Sequence, residues 1–488
     1  MSKRIKELLF SNTDTKQTVV KNIVWLSVGQ IGSRFIRAAI IIYAARVLGA
    51  GEYGLFSYAL GLAGFFTIFA DVGVNSILTR EVSQKPERAS EYFATSFWIK
   101  FALLIGTCIL VLFVVPYFSK IDDVIILLPF VAALTFFDNL REFTLSFFRG
   151  KEKMETEALV NILMNVIITL SGFFILSYVA TAKAVTLTYA ASAGIGALLA
   201  IIFLRKEYSK IFSHYNHSLI KPIIKAALPI AILSLFGVFM LNIDMVMLGW
   251  WRTAEEIGFY SAAQKIVQVL YIIPAIIAAG IFPALSRFFG KGEKEKVSHI
   301  MESAIAGAFF MALPLAVGGI ILAKPIIQLV YGIEYAPAVP AFQILIATVL
   351  FVFPGTLFGN YVIAHNEQKK YAKYVAGAAI GNVLLNALFI PVLGIVGASL
   401  GTIIVQFGYN SLVWGMVKKI NNFYTFRNVK KVIFSSILMG VIAIFMNWLE
   451  VNVMLNIVVS GGIYFLILFI LKEPLILEAK QLLKFLKK

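Results

Sequence analysis

Fourteen apolar stretches, each long enough to cross a bilayer as a helix, dominate the chain: 22–47, 55–79, 97–118, 124–148, 158–179, 184–204, 227–250, 258–285, 302–323, 341–364, 374–393, 396–417, 432–449 and 453–471. A hydrocarbon core of about 30 Å takes roughly 20 such residues in a helix. Lipid offers no hydrogen bonds, so each run must satisfy its own backbone, which a helix does. The closest pair, 374–393 and 396–417, is divided by Pro391 and Gly394, which break a helix rather than extend it. Composition agrees: of 488 residues 60% are hydrophobic and 14% charged, where a soluble domain has about 25% charged. A mean hydropathy of +0.86 cannot be hidden in one water-soluble core. A soluble enzyme, a disordered chain and a coiled coil are excluded. The expected fold class is an all-α polytopic membrane protein with 14 transmembrane helices.

The basic residues fix an orientation. Thirty-four of the 43 Lys and Arg fall on one face: the N-terminus, alternate loops (including the group Arg80, Lys85, Arg88 and Lys100) and the C-terminus. The other face has five: Arg46, Lys120, Lys183, Arg252 and Lys324. Positive charge stays on the cytoplasmic side, so both termini are expected there, in a cell membrane. The net charge of +17 then reads as a topology signal and an attraction to anionic lipid, not as a nucleic-acid surface. The first span contains Arg34 and Arg37, exceeds a signal-peptide core and is expected to remain as a signal anchor. The longest hydrophilic stretch, around 205–225, leaves no room for an extramembrane catalytic domain. The single cysteine, Cys108, excludes an internal disulfide and cysteine-based metal sites. His214, His217, His299 and His365 form no His-Glu-x-x-His pattern, and no phosphate-binding Gly-Lys-Ser/Thr loop occurs. No metal site, no bound cofactor and no enzymatic step are expected.

An internal repeat divides the chain. Leu48-Gly49, then Tyr53-Gly54-Leu55-Phe56-Ser57-Tyr58-Ala59, recurs as Leu248-Gly249, then Ile257-Gly258-Phe259-Tyr260-Ser261-Ala262-Ala263. Each copy lies between the first and second helix of a six-helix block of the same orientation, so the repeat is parallel, with a pseudo-twofold axis along the membrane normal. The expected organisation is a cytoplasmic amphipathic N-terminus (1–21), a six-helix bundle (22–204), a cytoplasmic linker (205–226), a second bundle (227–417), helices 13 and 14 (418–471) and a basic tail (472–488). Prolines 229, 274, 283, 314, 354 and 391 interrupt second-half spans and predict most helix bending there.

Ionisable groups within the spans are costly, and usually face a cavity or a partner. Arg34 and Arg37, three apart, share one helix face, and two guanidinium forks there suit a phosphate or pyrophosphate. The alternatives are an ion pair with Asp71 or Asp138, and snorkelling. Asp138, Arg141 and Glu142 lie at i, i+3 and i+4, so Arg141 can satisfy both acids locally. They read as a structural cluster or as a gate that breaks and reforms. Asp244 is the most isolated acid, and Asn382 and Asn386 stack one turn apart on another span. A carboxylate with amide oxygens suits sodium, or a proton on the acid alone; plain helix–helix hydrogen bonding is the alternative. Asn161/Asn165 and Gln406/Asn410 read first as interhelical bonds and second as sugar contacts.

Several motifs carry a family resemblance: Ala45-Arg46-Val47-Leu48-Gly49 with Glu52-Tyr53-Gly54, Asp71-Val72-Gly73, Phe148-Arg149-Gly150-Lys151-Glu152-Lys153-Met154, Asn242-Ile243-Asp244-Met245-Val246-Met247-Leu248-Gly249, and Tyr331-Gly332 with Glu334-Tyr335. In order and spacing, from about residue 20 to 420, the chain resembles the polysaccharide-transport family, O-antigen-type flippases of the multidrug/oligosaccharidyl-lipid/polysaccharide exporter superfamily. The resemblance implies two six-helix bundles around a central cavity that opens alternately to the two faces. It implies a cargo of polyprenyl phosphate or pyrophosphate carrying sugars. It assigns Arg34, Arg37 and Lys265 to the lipid phosphates, leaves Asp71, Asp138, Arg141 and Glu142 as gate or ion-pair residues, and supports a cation site at Asp244, Asn382 and Asn386. The expected function is movement of a lipid-linked oligosaccharide across the membrane for surface-glycan assembly, driven by an ion gradient (Na+ or H+) or by the membrane potential, by a monomer. The rival of the same superfamily is an ion-coupled multidrug antiporter, whose organic cations want an acid-dominated cavity. A glycosyltransferase would need a larger polar loop, and a scaffold would leave the buried charges dispensable.

Overall fold

The computed structural model describes residues 15–365, 367–424 and 429–474, and these residues are almost wholly helical. The expected amphipathic segment 1–21 is described only from residue 15, and the basic tail 472–488 only to residue 474. Twelve helical segments among the described residues are long and apolar enough to cross a membrane, making the chain a multi-pass membrane protein. Two of them, Val28–Asp71 and Gln368–Ile420, are 44 and 53 residues long. At 1.5 Å per residue a straight 53-residue helix would span about 80 Å, far more than a bilayer. Each contains one non-helical glycine, Gly49 (φ 71°) and Gly394 (φ 59°), a conformation that glycine adopts without a Cβ clash. Gln368–Ile420 covers two of the fourteen apolar stretches, and Val28–Asp71 covers most of 22–47 and of 55–79, the end of the latter falling beyond Asp71.

The chain divides into two compact units, residues 1–258 and 259–488. The boundary lies beyond the 205–226 segment expected as the joint. That segment holds a short helix and a 3-10 turn, and then starts the seventh apolar helix, which packs within the first unit.

The first unit contains helices α1 (Thr15–Asp71), α2 (Val74–Gln84), α3 (Ala89–Phe113), α4 (Val115–Phe118), α5 (Leu128–Gly150), α6 (Met154–Leu176), α7 (Ala182–Phe203), α8 (Arg205–Tyr208) and α9 (Ile220–Trp251). Small residues set their spacing. A Cβ on Gly29 of α1 would lie 2.9 Å from Ala158 of α6, and one on Gly172 of α6 would lie 2.7 Å from Ile40. Such small-residue seams let helix backbones approach where lipid gives no hydrophobic drive. Thr169 adds a hydrogen bond to the Ile36 carbonyl (3.1 Å). Aromatic packing closes one end, where Phe93 of α3 stacks on Phe143 of α5 at 5.3 Å. Beside it Glu81 is nearly buried at the end of α2; burial pushes its carboxyl up, but hydrogen bonds from Lys85 and Arg80 outweigh this and leave it below its ordinary value.

The two copies of the repeated motif meet each other. A Cβ on Gly54 would fall on the Ala254 carbonyl, 2.6 Å from its carbon and 2.9 Å from Gly258 N. A Cβ on Gly258 would fall on the Ala50 carbonyl, 3.0 Å from its carbon and 3.3 Å from Gly54 N. The contact is reciprocal, with Ala50 and Gly54 standing to Ala254 and Gly258 as those stand to them. This is what a twofold relation between the copies requires.

Prolines 229, 314 and 354 lie inside continuous helices, and Pro391 lies three residues before the non-helical Gly394. The first half has a break that proline content did not predict. Val72 (φ 45°) and Gly73 (φ 78°) separate α1 from α2. Glycine tolerates that region, whereas for a β-branched valine it is strained.

The second unit contains α10 (Ala254–Leu270, entering it at Phe259), α11 (Ile272–Gly290), α12 (Lys294–Ile321), α13 (Ala323–Tyr331), α14 (Val339–Ala347), α15 (Val349–Ala364), α16 (Gln368–Ile420), α17 (Val429–Trp448) and α18 (Val453–Ile470). Helices α17 and α18, the thirteenth and fourteenth apolar stretches, dock on α12. Tyr464 donates to the Phe310 carbonyl at 2.6 Å, and Asn456 donates to the Ala443 carbonyl at 3.0 Å.

Candidate functional site

Helices α1, α5 and α6 enclose a cavity of about 290 Å³ lined by Gly29, Gln30, Ser33, Arg34, Arg37, Arg141, Glu142, Asn161 and Asn165. The i, i+3 spacing puts Arg34 and Arg37 on the same side of α1, and both face this space. The Gly29–Ala158 seam brings α6 close enough for its amides to meet them. Arg37 Nε donates to Asn165 Oδ1 at 2.8 Å, and Arg141 Nη1 donates to Asn161 Oδ1. Asn165 in turn donates to the Asn161 carbonyl at 2.7 Å. The two asparagines are thus interhelical partners of arginines, and both line the cavity.

Arg34 is exposed, and no carboxylate of a described residue lies within ion-pair distance of Arg34 or Arg37. Asp71 and Asp138, the acids considered as their partners, are engaged elsewhere: Asp71 Oδ1 accepts from Lys100 Nζ (3.1 Å) and Asp138 Oδ1 from Arg141 Nη2 (2.7 Å). Arg141, 5% exposed, also pairs with Glu142 Oε1 at 2.9 Å. The local pairing read from the i, i+3, i+4 spacing is therefore present. Glu142 continues the chain of charges to Arg149 (3.0 Å), which holds buried Glu157 with two bonds of 2.7 and 2.6 Å. The cluster runs from the cavity to the end of α5. Two buried polar atoms at the cavity, Ser33 Oγ and Arg141 Nε, have no hydrogen-bond partner among the described residues. Arg34 and Arg37, with no carboxylate of a described residue in ion-pair distance, stand beside Arg141, which Asp138 and Glu142 share, and make a cationic chamber suited to a phosphate-sized anion.

Lys100 is the functional-type residue that sequence reading misplaced. Counted with the loop cations, it lies inside α3, fully buried, on Asp71. Its apolar stretch starts at 97, whereas the helix begins at Ala89, and its first turns carry Glu91 and other polar groups. The i−3 and i+4 neighbours Phe97 and Leu104 were the available signal: both belong to an apolar cluster with Ala70 and Leu140.

The other expected site residues lie elsewhere. Lys265 is half-buried on α10 in the second unit. Asp244 is buried on α9 in the first unit. Asn382 and Asn386 are buried one turn apart on α16, joined by an Asn386 Nδ2 to Asn382 Oδ1 bond of 3.3 Å, and a Cβ on Gly401 would lie 2.9 Å from Asn386 Oδ1. Gln406 and Asn410 are joined in the same way (3.1 Å).

A family model described as polysaccharide biosynthesis protein matches residues 19–289, and a MatE model matches 229–392. Among curated proteins, a probable low-salt glycan biosynthesis flippase of Haloferax volcanii is 24% identical over 382 residues, 76% of this chain and 78% of its own length. A putative O-antigen transporter of Shigella flexneri is 23% identical, covering 65% of this chain and 78% of its own. Among solved structures, a lipid II flippase in an inward closed conformation matches with a TM-score of 0.73 at 17% identity, over 93% of this chain and all of that one. An inward-facing multidrug resistance transporter matches at 0.66 and 16%, over 82% and 98%.

Proposed function

Because the chain belongs to the polysaccharide biosynthesis protein family, we propose that it is a flippase that carries a lipid-linked oligosaccharide across the cytoplasmic membrane for surface-glycan assembly. The observation that carries this reading is the cavity shared by Arg34, Arg37 and Arg141. Its volume lies at the lower end of small-molecule pockets, roughly 300–1,000 Å³. That suits a phosphate or diphosphate headgroup with its first sugar, while the lipid tail stays in the bilayer and the rest of the glycan extends from the cavity. Asn161, Asn165 and Gln30 offer amide partners for sugar hydroxyls. No bond is made or broken. The names of the relatives, a glycan flippase and an O-antigen transporter, support the same class of cargo. Lys265, half-buried on α10 in the second unit, is proposed separately as a contact for an anionic group of the cargo.

We further assign fourteen crossings, one for each half of the two glycine-interrupted helices and one for each remaining segment, with both termini cytoplasmic and the monomer as working unit. Asp244 is assigned to ion coupling. Asn382 and Asn386 are assigned as neutral cation ligands on α16, and nucleic acid is not a partner. The MatE match favours a second reading, an organic-cation antiporter. The predominance of guanidinium groups in the cavity argues against a cationic cargo.

The test is exchange of a fluorescent lipid-pyrophosphate sugar between liposome leaflets. Removing a charge-assisted contact costs roughly 1.5–3 kcal/mol, so Arg34→Ala and Arg37→Ala should each slow exchange about 10- to 100-fold. Rates equal to wild type in both would remove the phosphate assignment, and faster movement of organic cations than of lipid-linked sugar would favour the antiporter. For coupling, Asp244→Asn should leave exchange indifferent to imposed sodium and proton gradients; a retained response would shift the coupling site elsewhere.

A further inference from the structure

Two arginines of the cavity are held by asparagines of α6, and only one of them is also neutralised. Arg141 gives Nη1 to Asn161 and Nη2 to the carboxylates of Asp138 and Glu142. Arg37 gives Nε to Asn165 Oδ1 at 2.8 Å, and its two Nη groups have no hydrogen-bond partner among the described residues. Asp138 of α5 is within electrostatic reach of Arg37 but is bonded to Arg141. The hydroxyl of buried Tyr189 on α7 is also within reach and forms no bond with it. A cation inside a membrane ordinarily takes a carboxylate as partner. Here a neutral amide stands in that place and bonds only at Nε. The paired Nη edge, whose fork matches two phosphate oxygens, is left over in a side chain that lines the cavity.

The amide is itself fixed. Asn165 is 4% exposed, and its Nδ2 donates to the Asn161 carbonyl one turn back on α6 at 2.7 Å. That bond occupies the nitrogen, so the oxygen is the end turned to Arg37. A flipped amide would lose both bonds and set one donor against another. A carboxylate of the same shape would still accept from Nε, but it would offer no proton to the Asn161 carbonyl and would cancel the arginine charge.

We propose that Asn165 is a positioning residue for an anionic cargo: it anchors Arg37 through Nε without neutralising it, so that the Nη edge is presented to phosphate oxygens. For the identity of the anion this rests on the flippase reading, which it deepens by naming the side chain that keeps the cavity selective for negative charge. Exchange of a single atom, amide nitrogen for oxygen, would then close the site to phosphate.

The experiment uses full-length protein in nanodiscs of zwitterionic lipid, with geranyl diphosphate, a short isoprenoid diphosphate, as the probe. Asn165→Asp should weaken its binding at least about tenfold. It should also flatten the loss of affinity with added salt, because a neutralised Arg37 no longer attracts the probe. Asn165→Ala keeps the arginine charge and frees the fork, so binding should fall about two- to tenfold with the salt dependence of wild type. If Asn165→Asp fails to fold, Arg37→Lys carries the test. It keeps the charge and can still bond Asn165, but it lacks the second edge, and binding should fall at least about tenfold while the salt dependence remains. Wild-type affinity in Asn165→Asp or in Arg37→Lys would overturn the proposal. So would an affinity lost in Asn165→Asp with unchanged salt dependence, or wild-type protein that does not bind the probe. If wild type binds the probe, Asn165→Asp does not, and wild type exchanges no lipid-linked sugar between leaflets, the flippase reading falls and the role of Asn165 stands.

Discussion

Gly54→Ala is expected to lower stability by about 3 kcal/mol, the upper part of the overpacking range. The added methyl would land on the Ala254 carbonyl, and the next atoms it meets are also backbone. No side chain can rotate away, so a whole helix end must move. Gly51→Ala supplies the control: it lies on the same helix three residues earlier, with open space where the methyl would go. Alanine there is neutral or slightly favourable, because it narrows the unfolded ensemble. Thermal unfolding in detergent, followed by tryptophan fluorescence, should show a lower midpoint for Gly54→Ala and little change for Gly51→Ala. Equal midpoints would mean that the contact between the repeats is not as tight as described.

Arg141→Met is expected to have the second largest effect, on both stability and transport. Arg141 holds Asp138, Glu142 and Asn161, and its loss leaves two carboxylates one helical turn apart. Breaking a buried pair costs roughly 3–5 kcal/mol. Asp138 and Glu142 are about a third exposed, and Glu142 keeps Arg149, so about 2 kcal/mol is expected here. Asp138→Asn/Arg141→Met removes one stranded charge and should recover much of the thermal midpoint. Transport then separates the two roles of Arg141. If the guanidinium binds cargo, lipid-linked sugar exchange stays at least about tenfold below wild type in the double variant. Exchange that recovers along with stability would make Arg141 a brace for the helix and nothing more.

Much of this architecture is legible in residue order because the bilayer imposes a length on each apolar run. Gly394 divided two stretches in the sequence, and the helix breaks there. The i, i+3 arginines share a cavity, and the i, i+3, i+4 charges pair as their spacing requires. What was not legible depends on contacts between distant helices. Nothing near Lys100 in the sequence names Asp71 as its partner, 29 residues away. The charge count groups that lysine with loop cations although it lies inside the apolar stretch 97–118, because only three stretch residues precede it and the helix in fact starts at Ala89. Asn161 and Asn165 read as generic interhelical donors, and only the folded bundle shows that the groups they meet are arginines. The proline count pointed to the second half for bending, whereas the Val72–Gly73 break arises from backbone conformation at a site with no proline.

The face-to-face glycines also bear on ancestry. If a six-helix chain once paired with a second copy of itself, the residue on the symmetry axis met its own twin, and any change there struck twice. Fusion into one gene would have freed the two sides to drift apart, and a trace of such drift is visible nearby. Tyr58 covers Gly249, whereas the space over Gly49 is empty, and the position matching Tyr58 in the later copy is Ala262. Both copies hold glycine where they touch, and they differ one turn away.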